Sequence, residues 1–258
     1  MNCNLYIFGD SNSLPFFGNP EEEEKYKKFK GGKLPKGWME LLSENLNCNL
    51  ISFAKMGSSN SSIFQTICEN IHKVKENDIL IIGWTFRMRY QVVSKYDKDF
   101  YSFSNVVPSM LPENSLLSPN CMEELLVHKN LNFWVNEIYS WERLLILFAK
   151  KVGFKIFFWS FDEMIGKAYI ENANVNYYIG KKDLDEYYES DYYKNFNIIH
   201  EKKPDLINDG FWKHLELLGM KQIWDETNGE VNDGHIDELG HKILSQLFLY
   251  EIEKNKYF

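Results

Sequence analysis

Four short apolar runs punctuate the chain: Asn4 to Phe8, Leu50 to Ala54, Ile79 to Trp84 and Phe154 to Ser160. Each is continuous rather than alternating and is bounded by polar residues, the pattern of a strand buried on both faces. Helical spacing fills the intervals. Trp38, Leu41, Leu42 and Leu46 mark one helix, and Ile63, Phe64, Ile67, Cys68, Ile71 and Val74 a second, with serines and Asn60 available to cap it. Trp134, Ile138, Trp141, Leu145 and Phe148 mark a longer third that ends near Gly153, and Leu239, Ile243, Leu244 and Leu247 a C-terminal one. Strand and helix in alternation predict a parallel sheet with helices on both faces.

Two segments break the repeat. Asn12 to Lys36 reads as a long polar loop, in which the acidic run Glu21 to Glu24 and the basic run Lys25 to Lys33 largely cancel. Phe161 to Val231 reads as an insertion rich in tyrosine, and long insertions are usually lids or loosely ordered additions. With no internal repeat and no low-complexity linker, residues 1–258 are expected to form one domain, with 161–231 as an inserted cap.

Composition narrows the class. The net charge of −8 comes with no basic stripe, which argues against nucleic acid as a partner. No apolar run reaches the roughly 18 residues that a membrane helix needs. None of the four cysteines forms a CxxC pair, so Cys3, Cys48 and Cys68 are expected as buried free thiols. No signal peptide is visible after Met1, and the expected compartment is the reducing cytoplasm. No metal-ligand spacing stands out, and no metal or cofactor is expected. The oligomeric state is not legible.

Polar residues follow three strands. The first run ends in Gly9-Asp10-Ser11, which is either a plain strand-ending turn or a nucleophile held where open α/β sheets carry their sites. Gly57-Ser58-Ser59-Asn60 follows the second run, where glycine lets backbone approach a ligand. The third run passes into Gly83-Trp84-Thr85-Phe86-Arg87. Just before the last helix stand Asn232-Asp233-Gly234-His235, then Ile236-Asp237-Glu238-Leu239-Gly240-His241.

These blocks, in this order, resemble the SGNH hydrolases, the GDSL-type esterases and lipases. The resemblance rests on Gly9-Asp10-Ser11, on Gly57 with its Ser-Ser-Asn, and on the His235 to His241 block, where Asp237 takes the place of a capping Asn. It implies a flavodoxin-like three-layer α/β/α sandwich and an acyl-enzyme mechanism. Ser11 would be the nucleophile, His235 the base, Asp233 the acid that orients it, and the Ser11 and Gly57 amides the oxyanion donors. The family's third block has an Asn where this chain has Thr85, so Thr85 or Asn60 is expected to complete the oxyanion hole, with Asn60 favoured for its reach. The family's acid lies three residues before the histidine, at Asn232; the nearest carboxylate is Asp233, which is favoured because a carboxylate stabilises an imidazolium better than an amide does, with Asn232 as the alternative orienter. Asp10, Trp84 and Arg87 are possible substrate contacts, although Asp10 also reads as a structural brace of its turn. Arg87 and Arg89 read equally as an anion site or as surface charges. His241 reads as a packed or capping residue. The expected reaction is hydrolysis of small acyl esters, acetyl foremost, on a carbohydrate or other small molecule. An acyltransferase using the same acyl-enzyme, or a non-catalytic protein keeping the fold, are the alternatives.

Overall fold

The computed structural model describes residues 3–14, 19–86, 89–96, 100–106, 131–161, 215–216 and 218–254. In chain order the strands are β1 (Asn4–Phe8), β2 (Asn49–Ser52), β3 (Ile79–Trp84), β4 (Tyr90–Tyr96), β5 (Phe100–Val106) and β6 (Lys155–Ser160). The helices are α1 (Pro20–Phe29), α2 (Trp38–Leu46), α3 (Asn60–Asn70), α4 (Leu131–Val152), α5 (Ile223–Glu226) and α6 (Glu238–Lys254). Four strands form one all-parallel sheet in the order β2-β1-β3-β6.

The strands read as continuous apolar runs because both faces are covered. Leu5, Ile7, Ile79, Ile81, Phe157 and Trp159 point to one face, against Trp38 and Leu42 of α2 and Leu244, Leu247 and Phe248 of α6. Their neighbours Tyr6, Phe8, Leu80, Ile82, Ile156 and Phe158 point to the other, against Ile63 and Ile67 of α3 and Ile138 and Leu145 of α4. The result is the three-layer α/β/α arrangement that the pattern predicts. The path from β1 to β2 runs through α2 on the first face, and the path from β2 to β3 runs through α3 on the second. These crossovers leave on opposite sides, which puts the sheet's topological switch point at the carboxyl ends of β1 and β3.

Several local expectations need correction. The stretch from Asn12 to Lys36 is not all loop: it contains α1. Asn19 accepts the Glu21 N–H at 3.0 Å, proline opens the helix, and acids precede bases along the dipole. Its two charge runs are thus the two ends of one helix. That helix docks through Tyr26, whose hydroxyl donates to Glu226 at 2.7 Å. The antiparallel hairpin of β4 and β5 was not expected at all, although Tyr101, Phe103 and their serine neighbours alternate with period two.

Cys3 and Cys48 are not free thiols but a disulfide. Parallel pairing of Asn4 with Asn49 sets the residues just before the two strands side by side, with Cα atoms 5.0 Å apart. Cys68 is exposed on α3 rather than buried. Of the expected cap, residues 162–214 lie outside the described ones. Its last part returns to the core, where Leu215, Leu218 and Met220 join the first face. Among the described residues, no helix is long and apolar enough to cross a membrane.

Candidate active site

At the end of β1 the chain turns back on itself. Ser11–Ser13 form a single 3-10 turn, with Asp10 as its cap. Gly9 is required here, since a Cβ would come within 2.2 Å of the Ser13 hydroxyl. Gly83 on the neighbouring strand makes room for the same hydroxyl, because its Cβ would come within 2.6 Å of it and 2.7 Å of the Trp159 indole nitrogen. Two glycines on adjacent strands therefore let the turn sink into the sheet end, leaving Ser11 at 8% exposure at the switch point.

Asp10 braces this turn from beneath. Its carboxylate is 2% exposed. It accepts the Asn12 backbone N–H at 2.9 Å, the Asn12 amide at 3.3 Å, the Thr85 hydroxyl at 2.6 Å and the Arg89 guanidinium at 3.0 Å. These bonds tie the end of β1 to the segment after β3, and they make Asp10 a structural brace rather than a substrate contact. They also correct the reading of Thr85. A threonine hydroxyl has one proton, and Asp10 takes it, so Thr85 has none left for an oxyanion. Trp84 is not a substrate contact either. Its ring is buried and its indole N–H donates to Glu142 at 2.7 Å. Arg87 lies outside the described residues.

The second block turns at Gly57, whose φ of +73° favours glycine and whose missing side chain faces open space. Ser59 caps α3 by accepting the Ser62 N–H, so Asn60 is the first helical residue and not the cap. The Asn60 amide grips the Thr85 peptide from both sides: Oδ1 accepts the Thr85 N–H at 2.8 Å, and Nδ2 donates to the Thr85 carbonyl at 3.0 Å. That grip uses one of its two amide hydrogens and locks its plane.

The C-terminal block carries a carboxylate–imidazole pair. Asp233 Oδ1 lies 2.6 Å from His235 Nδ1 and also accepts the His235 backbone N–H at 2.7 Å. Asn232 is exposed, and its backbone N–H donates to Glu22. Asp237 caps α6 by accepting the Gly240 N–H at 2.7 Å, and burial raises its carboxyl above the usual range. His241 is packed, as expected. Its Nδ1 accepts the Trp38 backbone N–H at 3.2 Å, and burial, aided by nearby His235, pushes it down to about 3. Trp38 carries the link onward, since its indole N–H donates to the Asn12 carbonyl at 3.0 Å. The block containing His235 is thereby moored, through His241 and Trp38, to the residue after Ser11.

Sequence reasoning passed over Trp38, which it read only as core, and the Asp10–Arg89 tie. A tryptophan at the first position of α2 carries a polar N–H into the interior that needs a partner, which is the one signal it offered. The described residues also line an open cavity of about 560 Å³, but it lies at the opposite, amino-terminal edge of the sheet, beside Cys3, Cys48, Asn77 and Gly153.

No family model matches the chain, and no curated protein does. Among solved structures, the chain is similar to the protein YxiM of Bacillus subtilis, at 12% identity and a TM-score of 0.43. That match covers 99% of this chain and 57% of the other, so this chain spans just over half of its length.

Proposed function

We propose that this chain is a serine esterase that removes small acyl groups, acetyl foremost, from a carbohydrate or another small alcohol. The observation that supports the reading is the Asp233–His235 pair at 2.6 Å, on a segment linked through His241 and Trp38 to the residue after Ser11. An Asp-x-His contact forms locally by an Asx turn wherever it occurs, so the weight rests on its location.

The chemistry follows from the proton positions. With Asp233 holding the Nδ1 proton, His235 Nε2 presents a lone pair. It takes the Ser11 Oγ proton as Oγ bonds to the ester carbonyl carbon. The carbonyl oxygen becomes an oxyanion, received by the Ser11 and Gly57 backbone N–H groups and by the second Asn60 amide hydrogen. Collapse expels the alcohol, which takes the proton from Nε2. Water then attacks the acyl-enzyme in the same way, releasing the acid and restoring Ser11. The locked Asn60 plane supports its role, because a preorganised donor does not reorganise as charge develops.

The Cys3–Cys48 disulfide bears on compartment. Such bonds persist in oxidising surroundings, so the reading places the enzyme there rather than in the reducing cytoplasm.

The test is turnover of nitrophenyl acetate with a burst of nitrophenol, and labelling of Ser11 by a fluorophosphonate. Ser11→Ala should lower activity at least about a thousandfold. Asp233→Asn should lower kcat by roughly 10⁴, as a wrong histidine tautomer does, and Asn232→Ala by little. Activity that survives in Ser11→Ala would sink the mechanism, and a larger effect at Asn232 than at Asp233 would sink the assignment of the acid.

A further inference from the structure

Arg89 stands beside the Ser11 turn in a role that the acyl-enzyme steps do not use. It follows β3 by five residues, and its side chain is 25% exposed. Its guanidinium donates to Asp10 Oδ2 at 3.0 Å and lies 6.0 Å from the centre of the Phe86 ring. A guanidinium has five N–H donors. Among the described residues, Asp10 is its one hydrogen-bond partner, so most of the fork is left for something else.

Asp10 accounts for the charge and for one edge of the guanidinium, but not for its remaining donors. Without Arg89 its carboxylate would still accept the Asn12 backbone N–H, the Asn12 amide and the Thr85 hydroxyl. What Asp10 does is hold one edge of the guanidinium, one residue from the proposed nucleophile. A pre-oriented arginine fork matches the two oxygens of a carboxylate or phosphate better than a flexible cation does. One flank is apolar: the Phe86 ring beside the guanidinium is exposed. The chain's net charge of −8 opposes an anion at long range, but screening over about 8 Å at physiological salt leaves the contact donors to decide.

We propose that Arg89 is a specificity determinant that selects esters carrying an anionic group, a carboxylate or phosphate, bound beside Ser11. This rests on the esterase reading of Ser11. The anion can sit on the acyl side or on the alcohol side of the scissile bond, and the two are separable.

The experiment compares nitrophenyl hemisuccinate with nitrophenyl butyrate for the acyl side, and acetoxybenzoate with acetoxybenzamide for the alcohol side. On one of the two sides the anionic ester should be preferred about tenfold or more in kcat/KM, a gap of roughly 1.4 kcal/mol. Arg89→Gln should erase that preference and Arg89→Lys should retain part of it. The ratio is the readout, so a general loss of activity from disturbing Asp10 does not affect it. In a second arm, succinate binding to Ser11→Ala is measured by calorimetry and should weaken at least about tenfold when Arg89→Gln is added. Ser11-dependent turnover of neutral esters with no anionic preference on either side would overturn the Arg89 proposal and leave the esterase reading standing. Absence of all Ser11-dependent turnover would overturn the esterase reading, and the succinate arm would then decide the anion site by itself: binding indifferent to Arg89 refutes it.

Discussion

Acidification should destabilise this protein through His241. In the folded chain the ring is 2% exposed, its Nδ1 already accepts the Trp38 N–H, and His235 is close by. Protonation would put a hydrogen where an acceptor is needed and a charge where no water can reach it. Folded His241 is pushed down to about 3, while the unfolded chain holds the ordinary value of 6.5. Its contribution to stability is therefore complete above pH 6.5 and is lost as the pH falls toward 3, because the unfolded state binds the proton first. At about 1.4 kcal/mol per pH unit, the loss between pH 7 and pH 4 comes to roughly 3 kcal/mol, with a ceiling on the order of 5 kcal/mol. That is a large share of a typical domain's total stability of about 5–15 kcal/mol. The assay is urea unfolding of the wild type and His241→Asn at several pH values. Asparagine can present an oxygen to the Trp38 N–H without titrating, so contributions from all other groups cancel in the difference. Wild type should lose about 3 kcal/mol relative to the variant between pH 7 and pH 4. A difference that stays constant with pH would refute the reasoning.

The opposite slope is expected at Glu142, where burial holds the carboxyl well above its usual range beside the Trp84 indole. The folded state keeps this proton after the unfolded state has released it, so stability is lost as the pH rises above about 4.5. Glu142→Gln should gain on the wild type by up to about 1.4 kcal/mol per pH unit over that range, and thermal melts that shift in parallel at every pH would exclude it. Reduction of Cys3–Cys48, which closes a separation of 45 residues, should cost about 4 kcal/mol by the chain-entropy relation. Thiol counting in denaturant should find two reactive cysteines before reduction and four after it; four at the outset would refute the bond.

The layered fold was readable because burial on both faces writes itself into every strand as an unbroken apolar run, and helical spacing into the segments between. The limits of Asn4–Phe8 and Ile79–Trp84 follow from where those runs stop. Local signals were weaker where charge masked amphipathicity. In α1 only Glu22 and Tyr26 are buried, and the acid and base runs around them look like a solvated loop. The Ser11 turn, the Asp237 cap and the local Asp233–His235 contact were also within reach, since each rests on residues a few positions apart.

Contacts between distant segments were not within reach. The sequence by itself determined the four sheet strands and the helices α2, α3, α4 and α6 between and after them, because period and turn preference act over a few residues. Only the tertiary structure decided that Cys3 meets Cys48, through the register of β1 on β2. It alone showed that the Thr85 hydroxyl donates to Asp10, that Asn60 grips the Thr85 peptide, and that Trp38 joins the Ser11 turn to His241. A donor's partner is set by which strand lies next to which and by how far each extends. Those quantities are fixed when the sheet closes, and one segment's composition carries no record of them.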